Sequence, residues 1–157
     1  MNYYDKGITG EKRSMEQYMA GYPKYPYRKA GQKIGPTQSH LNLFPVDEGF
    51  AKGTIFRNLY RPYKNYQPRP VMPTTERERL LYDVDKYYFA LHEIRLYLDV
   101  YPNDEEAIKV FSEFQEQYIR AKHAYETRFG ALDIEAPNLD TSPWNWTVGR
   151  WPWEGGK

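Results

Sequence analysis

The sequence predicts a mainly α protein: an antiparallel two-helix hairpin with a long extended N-terminal arm and a Trp-rich C-terminal tail. Three observations predict it. Apolar residues recur at helical spacing in two successive blocks between Thr75 and Phe129. A Tyr101-Pro102-Asn103 link separates the blocks and is too short for anything but reversal. Outside the blocks, proline and glycine break up every period. The chain then divides into a basic Tyr/Pro/Gly-rich arm at 1–44, a binding segment and linker at 45–73, the hairpin at 74–130 and the tail at 131–157.

The first helix opens on Thr75-x-x-Glu78, the pattern of a capping box. Apolar residues follow at Leu81, Val84, Tyr88, Leu91, Leu98 and Tyr101, with a break at Arg95. Leu80, Tyr87 and Ile94 widen that stripe. Pro102 stops the helix within a residue or two of Val100. At 1.5 Å per residue its rod is about 37 Å long. For the second helix Asn103 is the expected N-cap, and Asp104, Glu105 and Glu106 suit the positive end of the helix dipole. Ala107, Phe111, Phe114, Tyr118, Ala121 and Tyr125 repeat every three or four residues, and Gly130 marks the stop. Tyr88, Tyr101, Tyr118 and Tyr125 are expected in the core between the helices. Two helices alone bury little surface, so the hairpin is expected to need a third element or a partner.

The arm has a different character. Prolines from Pro23 to Pro73 and glycines from Gly7 to Gly53 exclude a long helix or a central strand. Ser14 to Ala20 reads as a turn or two of helix, and Gly21 to Lys29 as extended chain. Within 45–63, Phe50, Ile55, Phe56, Leu59, Tyr60 and Tyr63 form the one locally apolar patch and are expected to anchor on a partner. All four tryptophans lie in the tail as Trp144, Trp146, Trp151 and Trp153. The W-x-W and W-P-W spacings put each pair on one side of extended chain. Tryptophan is strongly enriched in binding hot spots, so the pairs are expected to cap the hairpin, insert into a partner, or both.

Charge divides along the chain. Residues 1–70 hold 12 Lys/Arg and 5 Asp/Glu, a balance of +7; residues 71–157 hold 10 and 16, a balance of −6. The halves can therefore attract each other or further copies of the chain. No cysteine is present, which excludes disulfides and thiolate chemistry. No apolar run is long enough to span a membrane, and the N-terminus lacks the apolar stretch of a secretory signal, so no membrane partner is expected.

Catalytic, cofactor and metal sites are not expected. His92 and His123 lie on different helices without E-x-x-H spacing, and His40 sits in a Pro/Gly-rich loop. Glu76, Glu78, Asp83, Asp85, Glu113 and Glu116 read as a solvated helix face. K-G-I-T-G and A-K-G-T-I lack the phosphate-loop pattern. Tyrosines interleaved with basic residues at 22–29 and 57–66 leave a nucleic-acid module open as an alternative class. The arm tyrosines Tyr3, Tyr4, Tyr22, Tyr25 and Tyr27 have no local core and read as docking or cross-linking groups.

Two stretches carry a family resemblance. L-Y-L-D-V-Y-P-N-D-E-E-A at 96–107, Y-E-T-R-F-G-A-L at 125–132, S-P-W-N-W at 142–146 and W-P-W at 151–153 resemble the B-type CotJ spore-coat protein over about residues 75–154. Upstream, G-T-I-F-R-N-L-Y-R-P-Y at 53–63 resembles the A-type CotJ protein over about 45–63, as in a fusion. The resemblance implies a coat component made in the mother-cell cytoplasm during sporulation and then placed in the spore coat. It also implies a partner, a third CotJ protein that resembles manganese catalase and keeps the metal ligands to itself. On that reading Phe50, Ile55, Phe56, Leu59, Tyr63 and the four tryptophans would contact the catalase-like oligomer. The alternative is a coat component that assembles with copies of itself and without that enzyme.

Overall fold

The computed structural model describes residues 40–136, 139–140 and 142–147. Three α-helices order the described chain: α1 at Val46–Lys52, α2 at Glu76–Val100 and α3 at Glu105–Phe129. A 3-10 turn follows at Asn145–Thr147. Among the described residues there is no strand, only one antiparallel bridge between Leu43 and Phe56. The helical segment read at 14–20, the extended run at 21–29 and Trp151 and Trp153 all lie outside the described residues.

The expected capping box forms. Thr75 Oγ1 accepts from the Glu78 amide at 3.2 Å, and Glu78 Oε2 accepts from the Thr75 amide at 3.2 Å and the Thr74 amide at 2.7 Å. These donors, the Thr74 amide first, hold the Glu78 carboxyl below its ordinary range. α2 ends at Val100, as Pro102 requires, and α3 ends at Gly130, whose φ of 96° lies in the left-handed region. The N-cap of α3 is Asp104, not Asn103: Asp104 Oδ1 accepts from the Glu106 and Ala107 amides, both at 3.0 Å. A carboxylate is a stronger acceptor there than an amide oxygen and also complements the helix dipole.

The third element that a bare hairpin lacks is a strap built from residues 41–56. α1 begins directly after Pro45 and closes at Gly53, whose φ of 77° turns the chain back. Buried Gly49 lets the returning chain pass close: a Cβ there would stand 3.1 Å from Ile55 Cα and from the Thr54 carbonyl oxygen. The Phe44 amide donates to the Ile55 carbonyl at 2.8 Å, and the Arg57 amide to the Asn42 carbonyl at 3.1 Å, which fixes the strap as a loop. Leu41, Ile55 and Phe56 then pack on Ala90 and Ile94 of α2 and Ala107 of α3, with Ile55 and Ile94 both fully buried.

α2 therefore buries two faces rather than one. Leu80, Leu81, Val84 and Tyr87 meet Tyr118, Ala121 and Tyr125 of α3 and Leu132 of the tail in a second core cluster. Phe89, Ala90, Ile94 and Tyr97 belong to the strap cluster. The stripe expected through Tyr88, Arg95 and Tyr101 is thus shifted by about one residue. Tyr88 and Tyr101 are about half exposed, Arg95 is exposed, and of the four tyrosines expected in the core Tyr125 is the one fully enclosed. The strap draws Tyr97 and Ala90 inward and rotates the polar break at Arg95 out to solvent.

Candidate docking surface

Strap and hairpin are joined by polar contacts as well as packing. Thr54 Oγ1 donates to Glu93 Oε2 at 2.9 Å, and Lys86 Nζ donates to Asp47 Oδ1 at 3.1 Å and pairs with Asp83 Oδ1 at 2.7 Å. Phe50 sets its ring edge-on to Tyr82 and Phe89, each with centroids 5.6 Å apart, and Phe56 stacks on Tyr97 at 5.4 Å. Ile55 and Phe56, read from sequence as anchors for a partner, are in fact buried within the chain, and Phe50 is half-buried there. Their partner is the hairpin itself. The reason is contiguity: the patch lies about 20 residues ahead of α2, near enough in sequence for intramolecular docking to win.

What stays exposed lies after the strap. Leu59 and Tyr63 are 68% and 87% exposed, and Tyr66 is half exposed. The Tyr66 amide donates to the Tyr63 carbonyl at 3.0 Å, and Asn65 takes a left-handed φ of 64°, so a tight turn presents the two rings. Leu59, Tyr60, Arg61, Pro62, Tyr63 and Tyr66 line an open groove of about 510 Å³ with Lys52, Gly53 and Thr54. Lys52 Nζ lies over the Tyr60 ring at 4.3 Å and the Phe44 ring at 5.0 Å. From Arg57 to Thr74 the chain has four basic residues and no acid, so the groove sits in a cationic, aromatic stretch.

At the turn of the hairpin Asp104 gathers four hydrogen bonds. Besides capping α3 it accepts from Tyr97 Oη at 2.8 Å and meets His40 Nε2 at 2.7 Å; His40 Nδ1 meets Glu106 Oε2 at 2.6 Å. The Ala107 amide and then the His40 bond bring the Asp104 carboxyl down to about 2. The bond to Asp104, helped by the charge of both carboxylates, raises the His40 imidazole above 6.5. With a carboxylate oxygen on each ring nitrogen, the favoured species is imidazolium. The cluster pins the start of the strap to the start of α3. Among the described residues no set of three or more His, Asp and Glu has the arrangement of a metal site.

At the other end, the tail after α3 is fastened by charge. Lys122 and Glu126 are buried on α3; Lys122 Nζ reaches Asp133 Oδ2 at 2.6 Å, and Glu126 Oε1 accepts from the Leu132 amide at 3.0 Å. Ala136 and Leu139 are buried further along. Trp144 is about half exposed and Trp146 half-buried. Sequence reasoning missed Lys122 and Glu126. Their i, i+4 spacing looks like an ordinary surface pair and signals nothing of the tail that covers them.

Residues 78–154 match the family described as CotJB protein, and residues 36–63 match Spore coat associated protein JA (CotJA). One chain thus carries a segment that matches CotJA ahead of a segment that matches CotJB. Both are CotJ spore coat families, which implies a spore coat-associated protein. No curated protein and no solved structure gives a significant match. On the fold, the CotJA segment supplies the strap and the CotJB segment supplies nearly all of the hairpin and the described tail. The CotJA match starts ahead of His40, so the residue held by Asp104 and Glu106 falls inside it. No helix among the described residues is long and apolar enough to cross a membrane.

Proposed function

We propose that this chain is a non-catalytic assembly protein of the spore coat that binds and positions a manganese-catalase-like coat protein. The observation that carries the reading is the single body formed by the two CotJ segments. Its strap is spent on holding the hairpin, while the adjoining cationic aromatic groove of Leu59, Tyr63 and Tyr66 remains open. Rigid aromatic rings beside Lys52 and Arg61 suit a protein surface with apolar and acidic features. Trp144 and Trp146, with Trp151 and Trp153 beyond the described residues, supply a second contact. The CotJ resemblance supports the choice of partner, because the small A- and B-type proteins are associated with a catalase-like third protein. The stage of synthesis, in the mother cell, belongs to the same reading.

Size-exclusion chromatography with light scattering of the chain co-expressed with that catalase-like protein tests it. A joint peak that is lost when Leu59 and Tyr63 are both changed to Asp, or when the four tryptophans are changed to Ala, supports the reading. Two separate peaks from the unaltered proteins remove the enzyme from the account.

A further inference from the structure

The outward face of α2 near the turn carries large apolar side chains that nothing among the described residues covers. Leu96 is 50% exposed and Val100 67% exposed, and their i, i+4 spacing sets them one above the other. Tyr101, 55% exposed, lies at the helix end with its ring against Tyr97 and outside this face. Arg95 and Asp99 flank Leu96 and Val100 and are also exposed.

The charges on this face are unspent. Elsewhere, i, i+4 ions pair within their own helix, as Glu48 does with Lys52 at 3.7 Å and Glu116 with Arg120. Arg95 and Asp99 have the same spacing but no ion-pair or side-chain hydrogen-bond partner among the described residues. A base placed before an acid opposes the helix dipole and pairs less well within the helix; Lys122 and Glu126, placed in that order, come only to 3.9 Å.

We infer that two copies of this chain pair antiparallel through this face of α2. A two-fold axis near residue 97 brings Arg95 of each copy beside Asp99 of the other and sets Leu96 of each copy against Leu96 and Val100 of the other. One contact thus satisfies both charges twice and covers the apolar pair twice, the self-complementarity that an isologous interface requires. The face is neutral as a whole, so the approach of a like copy meets no net repulsion. The opposite signs, one helical turn apart, fix the antiparallel sense, because a parallel copy would set Arg95 on Arg95. The pairing does not involve the catalase-like protein and stands or falls apart from it.

Sedimentation velocity of the full chain alone, over a concentration series, tests the pairing. The expected mass is that of two chains, with Leu96→Glu/Val100→Glu giving the mass of one and an unchanged helical circular dichroism signal. Arg95→Asp sets acid against acid at both ends of the contact and weakens association by about tenfold. Mixing the Arg95→Asp chain with an Asp99→Arg chain, each of which repels its own copies, restores opposite pairs at both ends of the contact and with them the mass of two chains. A mass of one chain throughout overturns the inference. So does an assembly untouched by the Leu96/Val100 change, or a mixture of the Arg95→Asp and Asp99→Arg chains that associates no better than Arg95→Asp alone.

Discussion

Replacing Ile55 by alanine asks whether the strap is part of the folded body or lies loosely on it. Ile55 is fully buried against Ala90 and Ile94. The change removes three buried carbons, worth about 2.4 kcal/mol in transfer at about 0.8 kcal/mol each. Incomplete collapse around the gap adds to this, giving about 3–4 kcal/mol in all. Urea unfolding followed by far-ultraviolet circular dichroism reads mainly α2 and α3, which the substitution does not touch. A full loss of about 3 kcal/mol in that signal therefore reports that strap and hairpin unfold together. Leu59→Ala, two-thirds exposed a few residues later, is the control, with a change within about 0.5 kcal/mol. A double-mutant cycle of Ile55→Val with Ile94→Val gives a coupling of at least about 0.5 kcal/mol if the side chains share one core. An Ile55→Ala change as small as that of Leu59→Ala would refute the docked strap and the argument built on it.

The remaining predictions concern the ends of the strap and the tail. Gly49→Ala drives a methyl to within 3.1 Å of Ile55 Cα, a backbone atom that yields only by moving the strap, and lowers stability by about 1–3 kcal/mol in the same unfolding assay. Asp104→Ala removes the cap of α3 and the acceptor of His40 and Tyr97, and costs about 1–2 kcal/mol by thermal melting. The anchoring by His40 has a defined pH window. The raised imidazole contributes fully below 6.5 and its contribution fades as pH rises through the folded value, while the lowered Asp104 contributes above 3.8 and is lost as pH falls toward about 2. The stability difference between the unaltered chain and His40→Gln is then largest between these limits, and NMR titration of the His40 ring gives a midpoint above 6.5. Lys122→Met removes the buried cation that meets Asp133 at 2.6 Å and Glu126 at 3.9 Å, and costs about 2–3 kcal/mol by urea unfolding.

The hairpin was legible because its signals are local. Thr75 with Glu78, Pro102 and Gly130 fix helix ends through main-chain geometry, which no distant contact has to supply. The cap of α3 shifted by one residue because neighbouring Asn103 and Asp104 both suit the position, and the Tyr97 and His40 contacts that favour the carboxylate are tertiary. The orientation of α2 was not legible in the same way. Its apolar residues serve two neighbours, so a single-stripe reading averages the two faces and puts Tyr88 and Tyr101 inside. Of the residues read as partner contacts, Ile55 and Phe56 became core, while Leu59, Tyr63 and Trp144 are exposed. Exposure and burial of apolar side chains look alike in sequence; α1 and the tight return at Gly53 decide which of them turn inward.

The placement of the tryptophans also decides what light can report. Every tryptophan of the chain falls between residues 144 and 153, while the strap and the two helices absorb and emit only through tyrosine and phenylalanine. Trp144 faces solvent over about half its surface, and Trp146 is the better covered of the two. Emission excited at the red edge of the indole band thus follows the tail alone and is blind to the interior of the hairpin. Unfolding of the helices and release of the tail become two separately visible events, the first in circular dichroism and the second in fluorescence. A shift of that emission to shorter wavelength on mixing with another coat protein is then a direct optical signature that the tail has been taken up.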